Sequence, residues 1–235
     1  MRAFQAALLP VGQVLVLLTL AGLWWRRRLH RVWLLPVYLS VAALAQTVAL
    51  VAPEVLRVWR RWAVLELLLR SLTLGIVAEI AWRVFANLPH GRQRAWRWLA
   101  PALLLCFGLL LLVPWHEGEH SHASWLYVMV TEILPRLSYG AGFVCLALGY
   151  AIRTSGLPFD KLHAPVVLGL GGYLFLYAVS LGLQQDDGPR ALAYVVTPLA
   201  YTLMMGWWAW AAWRHEKLDP HASKRARQRL QPWLD

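Results

Sequence analysis

Three carboxylate–guanidinium pairs are the residues of this sequence whose types and spacing could do chemistry. In each pair a Glu precedes an Arg by four residues: Glu66 and Arg70, Glu79 and Arg83, and Glu132 and Arg136. Side chains at this spacing share one face of a helix, so the two members of a pair can meet. Each pair lies in a largely apolar segment, where an ionised group is costly unless it is paired or serves a function. The pairs therefore indicate either a ligand-binding site or contacts that fix helix packing.

The segments that hold these pairs belong to a chain that is too apolar for a soluble domain. Hydrophobic residues make up 59% of the 235 residues, and several apolar runs approach the ~20 residues with which a helix crosses a bilayer. We expect an all-α integral membrane protein, in which residues 1–213 form a seven-transmembrane-helix bundle and residues 214–235 form a basic tail with no further soluble domain. The predicted spans are 4–25, 32–52, 63–85, 98–115, 125–150, 164–184 and 191–213.

The distribution of Arg and Lys predicts the orientation of the bundle. If the N-terminus lies outside, the inner loops and the tail hold fifteen basic residues and the outer segments hold five. Cytoplasmic segments of membrane proteins carry such an excess. We therefore expect a multi-pass membrane protein with its N-terminus outside and its C-terminus in the cytoplasm.

The net charge of +11 points to the lipid bilayer as a partner and not to nucleic acid. Most basic residues lie between apolar runs or in the tail, where they can contact anionic head groups. Most of the fifteen Trp residues flank the runs, as in the aromatic belts of membrane interfaces.

With this orientation, polar side chains from most of the spans fall in the outer half of the bundle. They predict an outward-facing polar pocket that receives a small ligand, an ion or an anionic group at Arg70 and Arg136; the alternative is polar bonding between helices that only fixes packing. The pair of Glu79 and Arg83 lies separately, towards the inner surface. The predicted pocket residues are Gln13, Gln46, Glu66, Arg70, Glu132, Arg136, Tyr173, Tyr177, Tyr194 and Tyr201.

Two further patterns are weaker. His116, His120 and His122 are ligand types for zinc, copper or nickel, but they lie in a loop whose spacing fixes no geometry. A solvated loop is the favoured interpretation, and no metal site is predicted. Small residues recur at Ala141, Cys145 and Gly149; this ridge favours close helix contact, within the bundle rather than in a dimer.

The sequence argues against the common membrane cofactors. Microbial rhodopsins share the helix number and the orientation, but they need a lysine in the last helix for retinal. Lys161, Lys217 and Lys224 are the only lysines and all lie outside the predicted spans. All eight histidines lie in loops, at span edges or in the tail, so haem ligation within the bundle is not expected either.

The Glu-xxx-Arg repeats are similar to one element of the intramembrane CAAX-type proteases. The paired glutamates and intramembrane histidines of those proteases are missing, so their activity is not implied. In span number, topology and charged third and fifth spans, the chain resembles uncharacterised seven-helix inner-membrane proteins of bacteria and, more loosely, the seven-helix sensor modules that precede some histidine kinases. The resemblance implies a non-enzymatic, receptor-like or sensor-like protein that signals through a partner membrane or cytoplasmic protein, because no kinase follows the seventh span.

Two other classes remain open. The chain could be a structural or accessory subunit of a larger membrane complex, in which the charged pairs lock packing. A transporter or an intramembrane enzyme is the less favoured class, because seven spans without a repeat do not match the common inverted-repeat design.

Overall fold

The computed structural model of the chain describes residues 2–29, 32–86, 133–154, 162–183 and 190–214. Within these residues all regular structure is helical, which confirms the predicted all-α fold class. The predicted fourth span and the histidine loop lie outside the described residues. The helices are α1 (Arg2–Trp25), α2 (Leu34–Val51), α3 (Pro53–Arg57), α4 (Trp59–Ala86), α5 (Leu134–Thr154), α6 (His163–Leu183) and α7 (Arg190–Trp213).

Four helices, α1, α2, α6 and α7, begin and end within two residues of the predicted spans. Helix α4 begins at Trp59, four residues before the third predicted span, because residues 53–62 are helical on both sides of Val58. Pro53 at the first position starts α3, since its fixed φ suits a helix N-terminus. Val58 is extended, with ψ 109°, and separates α3 from α4. The fifth helix continues to Thr154, four residues beyond its predicted end at 150.

The six long helices form a ring in the order α1, α2, α4, α5, α6, α7, and α7 returns to α1. Helices α1 and α7 run parallel, because Gly12 lies against Tyr201 and Gly22 lies against Trp213. Helix α6 is antiparallel to its neighbours α5 and α7. The N-terminal ends of α1, α4, α5 and α7 therefore lie on the same side of the bundle as the C-terminal ends of α2 and α6.

Helices α5 and α6 pack closely along small residues. A Cβ atom added to Gly171 would lie 2.8 Å from Cys145 Cβ, and one added to Gly142 would lie 3.2 Å from the backbone nitrogen of Phe175. Ala141 and Cys145 are buried in the same interface. The predicted small-residue ridge thus serves packing within the bundle, where absent side chains let the backbones approach.

The outward surfaces of the helices are strongly apolar. Leu44, Val64 and Leu203 are 66%, 58% and 64% exposed, and soluble proteins rarely expose contiguous apolar surface on this scale. In the described part of the chain, three segments are long and apolar enough to cross a membrane: Ala7–Trp25, Leu34–Val51 and His163–Ser180. Helix α4 carries six charged residues and does not meet that criterion. Composition and exposure together indicate a protein associated with a membrane.

The end of α1 is tied to the end of α7 by arginines. Arg27 adopts a left-handed conformation, φ 53°, and the amides of Arg27 and Arg28 bond back to Trp24 and Leu23, which is the Schellman pattern of a helix C-terminus. This turn directs Arg28 to α7, where Nη1 and Nη2 donate to the carbonyl oxygens of Ala211 and Arg214 at 3.2 and 3.0 Å. Cations stabilise a helix C-terminus in this position.

Candidate functional site

The buried face of α4 carries the Glu66–Arg70 ion pair. Arg70 Nη2 lies 2.8 Å from Glu66 Oε1, and Arg70 Nε donates to the same oxygen at 2.9 Å. The Arg70 and Glu66 side chains are only 7% and 15% exposed. The i, i+4 spacing brings the two groups together, as predicted, and the apolar surroundings make their mutual neutralisation necessary.

Two tyrosines of α6, one helical turn apart, bind this pair from the neighbouring helix. The Tyr177 hydroxyl donates to Glu66 Oε1 at 2.9 Å, and Arg70 Nη2 donates to the Tyr173 hydroxyl oxygen at 3.2 Å. Arg70 Cζ also lies 3.7 Å from the ring centroid of Tyr177 and 5.3 Å from that of Tyr173. The guanidinium is therefore held by a carboxylate, a hydroxyl and two aromatic faces, an arrangement that favours the charged form of a buried arginine.

The polar contacts continue from Tyr173 to α7 and α2. The Tyr201 ring packs edge-on to Tyr173 with centroids 5.8 Å apart, and Gln46 Nε2 donates to the Tyr201 hydroxyl at 2.8 Å. The group formed by Glu66, Arg70, Tyr173, Tyr177, Tyr201 and Gln46 is called the Arg70 cluster below. It joins α2, α4, α6 and α7.

Tyr38 of α2 adds a side chain that sequence reasoning missed. It is buried and packs edge-on against the buried Trp208, with ring centroids 6.0 Å apart. A lone tyrosine in the apolar second run was the available signal. The contact joins α2 to α7, two of the helices that also carry side chains of the Arg70 cluster.

Several polar atoms of this region make no hydrogen bond within the described part of the chain. Both hydrogen bonds to Glu66 use Oε1, so Oε2 is unengaged, and Arg70 Nη1 donates to nothing. Gln46 Oε1 is buried and has no partner. A buried polar atom without a partner is rare in native proteins, so Gln46 Oε1 calls for an explanation, such as water or a ligand. The region thus offers a cationic donor and an anionic acceptor side by side.

The structure places the remaining predicted residues elsewhere or leaves them undescribed. Arg136 lies in the first turn of α5, half-buried, one turn before Tyr139, whose ring contacts Phe175 of α6. Glu132, its predicted partner, and the side chain of Tyr194 lie outside the described residues. Gln13 donates to the Thr47 hydroxyl at 3.0 Å, a contact between α1 and α2 that is separate from the Arg70 cluster.

The second ion pair, Glu79–Arg83, has a structural role. Glu79 accepts hydrogen bonds from the backbone amides of Trp33 and Leu34 at 2.7 and 2.9 Å, and Arg83 Nη2 lies 2.7 Å from Glu79 Oε1. The first amides of a helix have no partner within the helix and attract negative charge. Glu79 is therefore the N-terminal cap of α2, supplied by α4.

The Arg70 cluster consists of charged, hydroxyl and amide side chains that hydrogen-bond to one another. No group of three or more His, Cys, Asp or Glu residues in the described part of the chain could hold a metal ion; His116, His120 and His122 lie outside the described residues. Comparisons with protein-family models, with curated proteins and with solved structures gave no match. The Arg70 cluster is therefore the feature of the described residues from which a function is proposed below.

Proposed function

We propose that this chain is a receptor-like or sensor-like protein of the bacterial inner membrane, with seven membrane-spanning helices, an outer N-terminus and a cytoplasmic C-terminus. The Arg70 cluster would be an outward-facing polar pocket for a small ligand, and a partner membrane or cytoplasmic protein would receive the signal. The observation that carries the proposal is the largely buried Glu66–Arg70 pair, which two tyrosines of α6 contact and in which Glu66 Oε2 and Arg70 Nη1 make no hydrogen bond within the described residues.

The arrangement of the helices supports this proposal. The helices described run in the relative directions that the proposed topology requires, with α1, α4, α5 and α7 in one sense and α2 and α6 in the other. The Arg70 cluster then falls in the outer half of the bundle. Intramembrane charges commonly mark ligand or ion sites, because their cost is otherwise difficult to offset.

Helix α7 offers a route from the pocket to the cytoplasmic side. It carries Tyr201 in the Arg70 cluster and ends at the carbonyl oxygens that Arg28 binds. A ligand that moves Tyr201 would shift α7 against α1 and change the position of the basic tail. The parallel packing of α1 and α7 makes such a shift a sliding motion along a single interface.

A binding assay with a cell extract tests the receptor function. Purified protein in nanodiscs is heated with and without the small-molecule fraction of the host cell, and unfolding is followed by tryptophan fluorescence. The extract is expected to raise the unfolding temperature of the wild type, but not that of the Glu66→Gln/Arg70→Gln double variant, whose net charge is unchanged. An equal shift in both proteins, or no shift in either, would contradict the proposal.

A structural subunit of a larger membrane complex is the second candidate. The observation that favours it is the mutual neutralisation of Glu66 and Arg70, together with exposed tryptophans such as Trp25 and Trp210 that could meet neighbouring helices. Purification from native membranes in a mild detergent distinguishes the two. Elution with other membrane proteins at fixed stoichiometry supports the subunit, and elution alone supports the receptor.

A further inference from the structure

The Arg70 cluster contains one positive and one negative group, each with an atom that makes no hydrogen bond in the described part of the chain. We propose that its ligand is a small zwitterion, whose anionic group binds Arg70 Nη1 and whose cationic group binds Glu66 Oε2. This inference rests on the proposed function and adds the chemical class of the ligand.

Charge balance is the first argument. The tyrosines and Gln46 are neutral, so Glu66 and Arg70 give the cluster a net charge of zero. A ligand with a net charge would leave one uncompensated charge in an apolar environment, where the cost of desolvation is largest. A zwitterion keeps the site neutral and still supplies a partner to each charged group.

The geometry of the pair limits the separation of the ligand's charges. The tyrosine hydroxyls of α6 engage Glu66 Oε1 and Arg70 Nη2, so the carboxylate and the guanidinium are fixed at 2.8 Å from each other. A ligand that reaches the two remaining atoms must therefore carry its charges only a few bonds apart. An α-amino acid meets this condition, and a long zwitterion does not.

Two sources could supply this chemistry. One is a free amino-acid-like solute from the outer side, and the other is the head group of a zwitterionic lipid, in which a phosphate and an ammonium are also close together. Both present an anionic and a cationic group to Arg70 and Glu66, and nanodiscs of defined lipid separate them.

The test uses probes in which one charged group of the zwitterion is absent. In one set L-alanine is compared with propionate and ethylammonium; in the other L-phenylalanine is compared with 3-phenylpropionate and 2-phenylethylammonium. Binding to wild-type protein in phosphatidylglycerol nanodiscs is measured by the shift in unfolding temperature. In at least one set the zwitterion is expected to bind about tenfold or more tightly than either analogue, because each analogue loses one charge-assisted hydrogen bond.

Two outcomes would overturn the inference: an analogue that binds as tightly as its zwitterion, or no binding by any probe. In either case the extract assay tests the receptor function separately. If the extract stabilises the wild type, the receptor function is supported and only the zwitterionic ligand class is excluded. A second arm adds phosphatidylethanolamine to the nanodiscs. If the lipid itself stabilises the wild type and removes the response to the solute, the zwitterion is the lipid head group; an unchanged response assigns a free solute.

Two single-residue variants should change which probe binds most tightly, and nonspecific binding would not produce such a change. Glu66→Gln leaves Arg70 without its counter-charge and should shift preference to the carboxylate analogue. Arg70→Gln should shift preference to the ammonium analogue. A folded Glu66→Gln protein that still prefers the zwitterion would contradict the inference. If both variants fail to fold, the comparison of the three probes on the wild type remains decisive.

Discussion

At the scale of the residue, two ion pairs with the same spacing on α4, Glu66–Arg70 and Glu79–Arg83, have different neighbours. Glu66 and Arg70 meet tyrosine hydroxyls and aromatic faces from α6, whereas Glu79 and Arg83 meet the backbone amides at the start of α2. The sequence places both pairs at the same spacing on one helix. The neighbouring residues, and not the chemistry of the pairs, therefore determine that Glu66 Oε2 and Arg70 Nη1 make no hydrogen bond within the described residues.

Removal of one charge of the buried pair should destabilise the fold more than removal of both. Glu66→Gln or Arg70→Gln leaves one uncompensated charge, and we expect each to lower the free energy of unfolding by ~3–5 kcal/mol. The double variant should lose less than the sum of the two, because no charge remains. Unfolding in detergent measures this cycle, with the exposed Ser71→Ala on the same helix as the control. Additive losses would show that the two groups do not interact.

The cap of α2 gives a second prediction for a single side chain. Glu79→Ala removes the acceptor of the Trp33 and Leu34 amides, and we expect a loss of ~1–2 kcal/mol, as for other helix caps. Hydrogen exchange at these two amides should accelerate, while Glu79→Gln, which keeps one carbonyl oxygen, should lie between. Unchanged exchange in Glu79→Ala would exclude a capping role.

At the scale of the element, the sequence predicted most helices because a long apolar run has few alternative structures in a membrane. It also predicted that Glu66 and Arg70 would share one face, since that follows from helical spacing alone. It could not predict that Glu79 caps α2 or that Tyr38 packs against Trp208 of α7. Those contacts join residues far apart in the chain, and helical periodicity says nothing about which neighbour a face will meet.

Helices α5 and α6 offer a glycine in their interface, Gly142, and a control glycine that faces open space, Gly172. A Cβ at Gly142 would lie 3.2 and 3.3 Å from backbone atoms of α6, whereas nothing lies within 4 Å of a Cβ at Gly172. We expect Gly142→Ala to separate the helices and to cost ~1–3 kcal/mol. Gly172→Ala should be neutral or stabilising, because Ala favours a helix over Gly by ~1 kcal/mol. Thermal unfolding of the two variants measures the difference, and equal stabilities would contradict this packing.

At the scale of the whole molecule, two features act together. The outer surface is apolar, and polar side chains converge inside the ring of helices. In the proposed seven-span topology, one end of the Arg70 cluster faces the outer solution. The ends of α1 and α7, which Arg28 joins, face the cytoplasm. In the proposed receptor, this combination would place a ligand site on one side and a responsive helix end on the other.

The claim that the Arg70 cluster opens to the outer solution is tested most directly by thiol labelling at two positions of α2. Gln46→Cys places a thiol in the cluster, and Leu44→Cys places one at a similar depth on the exposed apolar surface. A charged, membrane-impermeant reagent is added to right-side-out and inside-out vesicles, with the wild type as the background for Cys106 and Cys145. We predict that Gln46→Cys reacts from the outer side only and that Leu44→Cys does not react, because water is absent from the lipid core. Reaction of Gln46→Cys from the inner side alone, or no reaction from either side, would contradict an outward-facing pocket.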